Sequence, residues 1–383
     1  MPRIAIKAVA LLVLAAVPGI SSAAPASASG LTPVAVSSGA NHSCALMSDQ
    51  RVYCWGMNNA GQLGNGTYVD SNVPVPVSGI STARAIGAGK DESCAVLKDH
   101  SIWCWGWGSS GQLGNGTTEA SSNLPVQVLG INNAKSVSVG NQFACSVLTT
   151  GAIKCWGFNS AGQLGDGSTS DSSEPVTVIG VSTAKSVSSN LSHSCALLTS
   201  SSVCWGTGYY GELGDSRSDA STTPVTVTGV SGVSMIAAGD YHSCAALQVG
   251  GVRCWGHNDQ GQLGNGKQDG GLTPVKVSKV KGASAVSAGS MFSCATLNSG
   301  RVACWGYNFN GQTGSSTGNT TLKPNLVSKV SGVTSLSTGD AFACAIGTKH
   351  ALWCWGFNFH GELGNGSYGG LTDKTANPVK VHF

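Results

Sequence analysis

The stretch "HSCALMSDQRVYCWGMNNAGQLGNG", His42 to Gly66, sets two cysteines ten residues apart, follows the second with Trp55 and Gly56, and closes on a glycine-rich turn. Nearly the same segment returns six more times. Cys-Trp-Gly starts at Cys54, Cys104, Cys155, Cys204, Cys254, Cys304 and Cys354, a period of 49 to 51 residues. An earlier cysteine precedes each copy: Cys44, Cys94, Cys145, Cys195, Cys244, Cys294 and Cys344. The seven pairs account for all 14 cysteines. Every copy then runs into Gly-Gln-Leu-Gly or a near variant, with Glu at 212 and 362 and Gly-Gln-Thr-Gly from Gly311. Six copies end in Pro-Val-x-Val, from Pro74, Pro125, Pro175, Pro224, Pro274 and Pro378, while the sixth repeat reads Pro-Asn-Leu-Val from Pro324.

Each repeat reads as four short strands. In the second, "ARAIGAG", "SCAVL", "SIWCWG" and "PVQV" are β-rich runs bounded by Gly, Asn, Asp and Ser, with no helical periodicity. A four-stranded unit of this length, repeated seven times, predicts an all-β, seven-bladed β-propeller of antiparallel blades. One blade cannot bury both faces alone, whereas a ring sandwiches each blade between two neighbours. Residues 29–383 are therefore expected to form a single propeller. The first repeat has no leading Pro-Val-x-Val strand and the last such strand, Pro378 to Val381, stands at the C-terminal end. It is expected to pair with N-terminal strands in one blade and close the ring as a clasp.

Geometry decides the cysteines. With Cys44 directly opposite Cys54, Leu46 faces Val52 and the turn falls at Ser48 to Gln50. The shorter fourth repeat, Cys195 to Cys204, implies a two-residue turn at Thr199-Ser200. Directly opposed cysteines on neighbouring strands are close enough to bridge, so seven disulfides within blades are expected, with buried free thiols that serve as packing residues as the alternative. Zinc ligands come in closer pairs, and a redox motif would be Cys-x-x-Cys. Neither pattern occurs.

Residues 1–28 read as a secretory signal. Arg3 and Lys7 precede an apolar run from Ala8 to Val17, and Ala24-Pro25-Ala26 and Ala26-Ser27-Ala28 offer cleavage after residue 26 or 28. Ten apolar residues fall short of the roughly 20 that span a bilayer. Export would supply the oxidising compartment that disulfides require. Without Arg3 and Lys7 the chain carries 19 basic against 18 acidic side chains. That near-neutral balance gives no electrostatic footprint for nucleic acid.

The pattern "HSCAL", Cys-Trp-Gly, Gly-Gln-Leu-Gly resembles the repeat of the regulator of chromosome condensation family, over essentially the whole chain after the leader. The resemblance implies a seven-bladed propeller. It says little about activity, since the family includes a nuclear exchange factor for a small GTPase, a plant ultraviolet-B photoreceptor and a secreted bacterial β-lactamase inhibitor. A leader and a neutral chain argue against the first. Seven of the ten tryptophans belong to the repeat itself, leaving Trp103, Trp107 and Trp353 as extras and no sensor cluster against the second. The paired cysteines depart from the family's usual aliphatic residues.

Function on a symmetric scaffold belongs to residues that break the symmetry. His42, His193 and His242 share one position, two before a cysteine, and match the repeat, which favours a structural hydrogen bond. Asp91 and Glu92 are the first acids to test for a polysaccharide hydrolase or lyase, which would need two carboxyls about 5 to 9.5 Å apart. The run Asp166 to Asp171 lacks the spacing of a calcium loop, and the Gly-Gln-Leu-Gly turns do not lead into a helix as a phosphate cradle must. No catalytic, cofactor or metal residues are assigned. The loops after Cys-Trp-Gly are richer in aromatics. Trp107, Phe158, Tyr307 and Phe357 follow the motif directly and are expected to sit half-buried between blades. Tyr209, Tyr210, Phe309, Phe359 and His360 lie just beyond and, with Trp107, are the candidate ligand contacts. The expectation is a secreted, monomeric, non-enzymatic protein that presents one face to an extracellular protein, with a lectin-like polysaccharide module as the alternative.

Overall fold

The structure, a computed structural model, describes residues 31–369 and 375–383. The leader expected at residues 1–28 lies outside the described residues. Residues from Thr32 on form one compact unit of seven four-stranded antiparallel sheets, a seven-bladed propeller. Blade 1 runs Pro33–Ser38, His42–Met47, Val52–Gly56 and Ser71–Pro76; blade 7 runs Ser335–Thr338, Phe342–Ile346, Leu352–Gly356 and Thr375–Lys380. In each, spatial order follows chain order. The only helical element among the described residues is the short 3₁₀ turn Thr348–His350.

Burial explains why the strands read as they do. The second and third strands of each blade touch neighbours on both faces and are almost wholly buried, so their apolar runs are continuous. The outer strand alternates between half-buried and exposed positions. First strands of all seven blades line a central cavity of about 440 Å³.

All seven cysteine pairs are bridged, each at a directly opposed register position with Cα atoms 4.0–4.1 Å apart. That is the narrow, non-hydrogen-bonded site of an antiparallel ladder. Leu46 pairs with Val52 as the spacing requires. In blade 4 Leu197 pairs with Ser202, and Leu198 N–H donates to the Ser201 carbonyl around a Thr199-Ser200 turn.

One clamp joins the blades. Each repeat tryptophan is fully buried, and its indole N–H donates to the carbonyl of the Gln or Glu in the Gly-Gln-Leu-Gly turn of the preceding blade. Trp105 reaches Gln62, Trp156 reaches Gln112 and Trp255 reaches Glu212, at 2.7–2.9 Å. The last glycine of the turn lies against the same ring. Gly64 has φ +62°, and a Cβ there would stand 2.8 Å from the Trp105 indole.

The clasp expectation is overturned. The strand Thr375–Lys380 pairs with Leu352–Gly356 of its own repeat, through Val379 opposite Cys354. Every blade consists of four consecutive strands, because the repeat starts at an inner strand and ends at an outer one. The ring closes by the ordinary clamp instead, with Trp55 donating to the Glu362 carbonyl at 2.8 Å and Gly364 pressed on the Trp55 ring. Ser38 N–H also donates to Ser337 Oγ at 2.9 Å. Phe383 packs edge-on against Tyr53 and Trp55.

Candidate functional site

The first and third strands of a blade run parallel to one another, so the turn after the first and the long loop after the third leave by the same face of the ring. That face carries the aromatics. Tyr68, Trp107, Tyr209, Tyr210, Phe309, Phe359 and Tyr368 all sit in or at the base of these loops. Only Phe383 among the exposed aromatics of the described residues lies elsewhere.

The candidate contacts divide into three groups around the ring. Tyr209, 67% exposed, stands free on the blade 4 loop, while Tyr210 is held against the next blade. Its ring lies 4.5 Å from His257 and 5.8 Å from Tyr241, the latter edge-on. Phe309 and Phe359 stack on Tyr307 and Phe357 at 6.4 and 6.3 Å, so the half-buried residue directly after Cys-Trp-Gly supports the exposed one beyond it. Phe158, Tyr307 and Phe357 are half-buried as expected, but Trp107 is 38% exposed, its indole N–H donating to Ser109 Oγ. His360 spans the closing seam, with Nδ1 2.9 Å from Asp70 of blade 1.

Beneath the loops are buried carboxyls. Glu212 Oε2 accepts the Tyr210 N–H and Glu362 Oε2 accepts the His360 N–H, so each supports a loop that bears two rings. Burial pushes both carboxyls up to about 7. The other oxygen of each is buried without a partner.

The histidines and several acids prove structural in their contacts. His42, His193 and His242 are fully buried, with Nε2 2.7–2.8 Å from the hydroxyls of Ser93, Ser243 and Ser293 in the following blade. Burial lowers them to about 3, 4 and 3. Glu92 stands at the equivalent position of blade 2. It has no exposed surface, and its oxygens accept the N–H groups of Asp91 and Gln142. A substrate could not reach it. Asp166 accepts from Ser168 and Asp171 accepts from Asn159 N–H, so the run Asp166 to Asp171 is a hydrogen-bonded turn. No group of three metal-ligating side chains occurs among the described residues.

Sequence reasoning missed the turns after the first strands. They place Lys90, Asn141, Asn190, Asp240, Tyr241 and Asp340 around the mouth of the central cavity, on the aromatic face. Asp240 and Asp340 are both raised, first by burial; repulsion from Asp240 adds to the shift at Asp340, and Lys90 opposes it in both. Aligning the residue two before the shared His, Glu or Phe position blade by blade (Ala40, Lys90, Asn141, Leu191, Asp240, Ser290, Asp340) would have exposed this asymmetry.

The repeat profile described as "Regulator of chromosome condensation (RCC1) repeat" matches residues 49–96, 99–147, 151–197, 204–246 and 250–296, more than half of the chain. The chain belongs to the RCC1-repeat family. A second profile of that description matches residues 34–62, 83–112, 134–163, 233–262 and 283–312. Among curated relatives, the ultraviolet-B receptor UVR8 of Arabidopsis thaliana is 30% identical over 141 residues, 36% of this chain and only 32% of the receptor's own length. Among solved structures, human WBSCR16 superposes with TM-score 0.77 at 20% identity, covering 87% of this chain and 95% of that one. Yeast RCC1 (Prp20), crystallised bound to Kap60, superposes with TM-score 0.74 at 18% identity, covering 86% and 83%. At those identities the likeness is one of fold. This RCC1-repeat chain carries a disulfide in every blade and an aromatic loop face. No helix among the described residues is long and apolar enough to cross a membrane.

Proposed function

We propose that the protein is a secreted, monomeric, non-enzymatic binding propeller that offers its aromatic loop face to an extracellular protein partner. One observation carries the reading: the exposed aromatics gather on a single face of an otherwise regular ring. Aromatic side chains, which bury large area at small entropic cost, are the anchors that protein interfaces favour. Seven disulfides suit an oxidising compartment. A propeller of this family has been crystallised on another protein, which makes protein recognition a use to which the fold is put.

The test is retention. The immobilised chain is exposed to extracellular protein and wall polysaccharide from the producing organism. A stoichiometric protein complex is expected, lost on changing Tyr209, Tyr210, Phe309 and Phe359 together to serine while the melting temperature holds. Retained polysaccharide that soluble sugar displaces would replace this reading with a lectin one.

A further inference from the structure

Three features mark the cavity mouth. The first is charge. Asp240 is nine-tenths buried and, with the half-buried Asp340, lines the mouth; no ion pair within 4 Å joins either to a cation among the described residues. Lys90 is the one basic residue lining the cavity. The second is an acceptor with no donor. Asn141 Oδ1, lining the cavity from blade 3, is buried and makes no hydrogen bond. A buried acceptor left unpaired is destabilising, and a donor brought by a ligand would relieve it. The third is the cluster of Tyr241, Tyr210 and His257, which continues the mouth outward to the exposed Tyr209. Aromatic faces beside carboxylates favour a cation over a neutral or anionic group.

We propose that the cavity mouth bounded by Asp240, Asp340, Asn141 and Tyr241 receives a primary ammonium group, supplied by a lysine side chain of the bound protein partner. This rests on the protein-binding reading above and adds the chemistry of the partner's anchor. The compact head of an ammonium carries three donors, which suits a mouth whose lining offers the two carboxylates and the Asn141 oxygen as acceptors. Its alkyl stem would lie along the Tyr241 and Tyr210 rings. The surrounding aromatic arc then excludes water from the charged contact, as the rim of an interface does around its anchor.

The experiment needs no partner, so its outcome is independent of whether the aromatic face captures a protein. The intact chain, with ¹³C at aspartate carboxyls and tyrosine rings, is titrated with n-butylammonium chloride and, separately, with sodium butyrate at equal ionic strength. Butylammonium is expected to move the Asp240, Asp340 and Tyr241 signals along one saturable curve, and butyrate to leave them in place. In D340N the ammonium curve should weaken about tenfold, the equivalent of one lost charge-assisted contact, and in D240N/D340N about a hundredfold; D340N alone serves if the double variant melts early. Signals unmoved by butylammonium, a response shared equally with butyrate, or a curve unchanged in the variants would each overturn the proposal.

Discussion

Glu212 and Glu362 stand where the other five blades carry glutamine, and their protons tie stability to pH. In the unfolded chain such a carboxyl ionises near 4.5, and in the folded protein near 7. Between these values the folded state holds protons that the unfolded state has released. Stability from this source is full below pH 4.5 and is lost as pH rises through 7. E212Q/E362Q should therefore melt higher than the parent at pH 8 and equally at pH 4.5, by about 1–2 kcal/mol per site at the higher pH. A variant gaining nothing at pH 8 would contradict that assignment. The buried histidines act in the opposite direction: lowered to about 3–4, they contribute stability above pH 6.5 that is lost as pH falls. Phe143, Phe292 and Phe342 fill the same position in other blades, so H42F/H193F/H242F should fold and lose less stability between pH 6.5 and 4, read as melting temperature against pH. The histidine contacts were legible in the sequence because position within the repeat fixed them. Asp240, Asp340 and Tyr241 were not, because each is a single departure at a turn, and only the ring brings residues 100 apart in sequence to one mouth.

The blade is held by its own disulfide and by the clamp to its neighbour, and the two can be loosened separately. Replacing Cys145 and Cys155 with serine opens a loop of about 11 residues and should cost about 2–3 kcal/mol, measured by denaturant midpoint on the oxidised chain. Gly64→Ala attacks the clamp. It places a Cβ against the Trp105 indole at a left-handed backbone position and should cost at least about 1 kcal/mol from backbone conformation alone. Gly79 has a similar φ but nothing near its Cβ, so Gly79→Ala should pay the backbone cost without the clash. Equal melting temperatures for the two variants would mean that contact with the tryptophan is not what fixes the turn. Cysteine pairing was legible because two opposed cysteines and a short turn leave one register. The clamp was not: an indole donating to a carbonyl about 43 residues earlier leaves no trace beyond the repetition of Trp and Gly.

For the ring as a whole, seven four-stranded copies at a fixed period were enough to read the architecture, since a closed ring buries both faces of seven equivalent sheets and leaves none at an end. The manner of closure was misread, because a terminal strand with no obvious unit suggested an exchange that consecutive pairing makes unnecessary. Removing Pro378 to Phe383 still deletes Val379 opposite Cys354, the buried Val381 and the Phe383 contact with Trp55. It should lower the melting temperature sharply by stripping blade 7. The central claim concerns which face the ring presents. Hydrogen exchange of the chain, alone and in complex with the protein it retains, tests it most directly. Slowed exchange is expected in residues 207–220, 239–241, 257–270, 307–320 and 357–369, with the hairpin turns of the opposite face unchanged. Protection confined to those opposite turns or to the outer strands would contradict it.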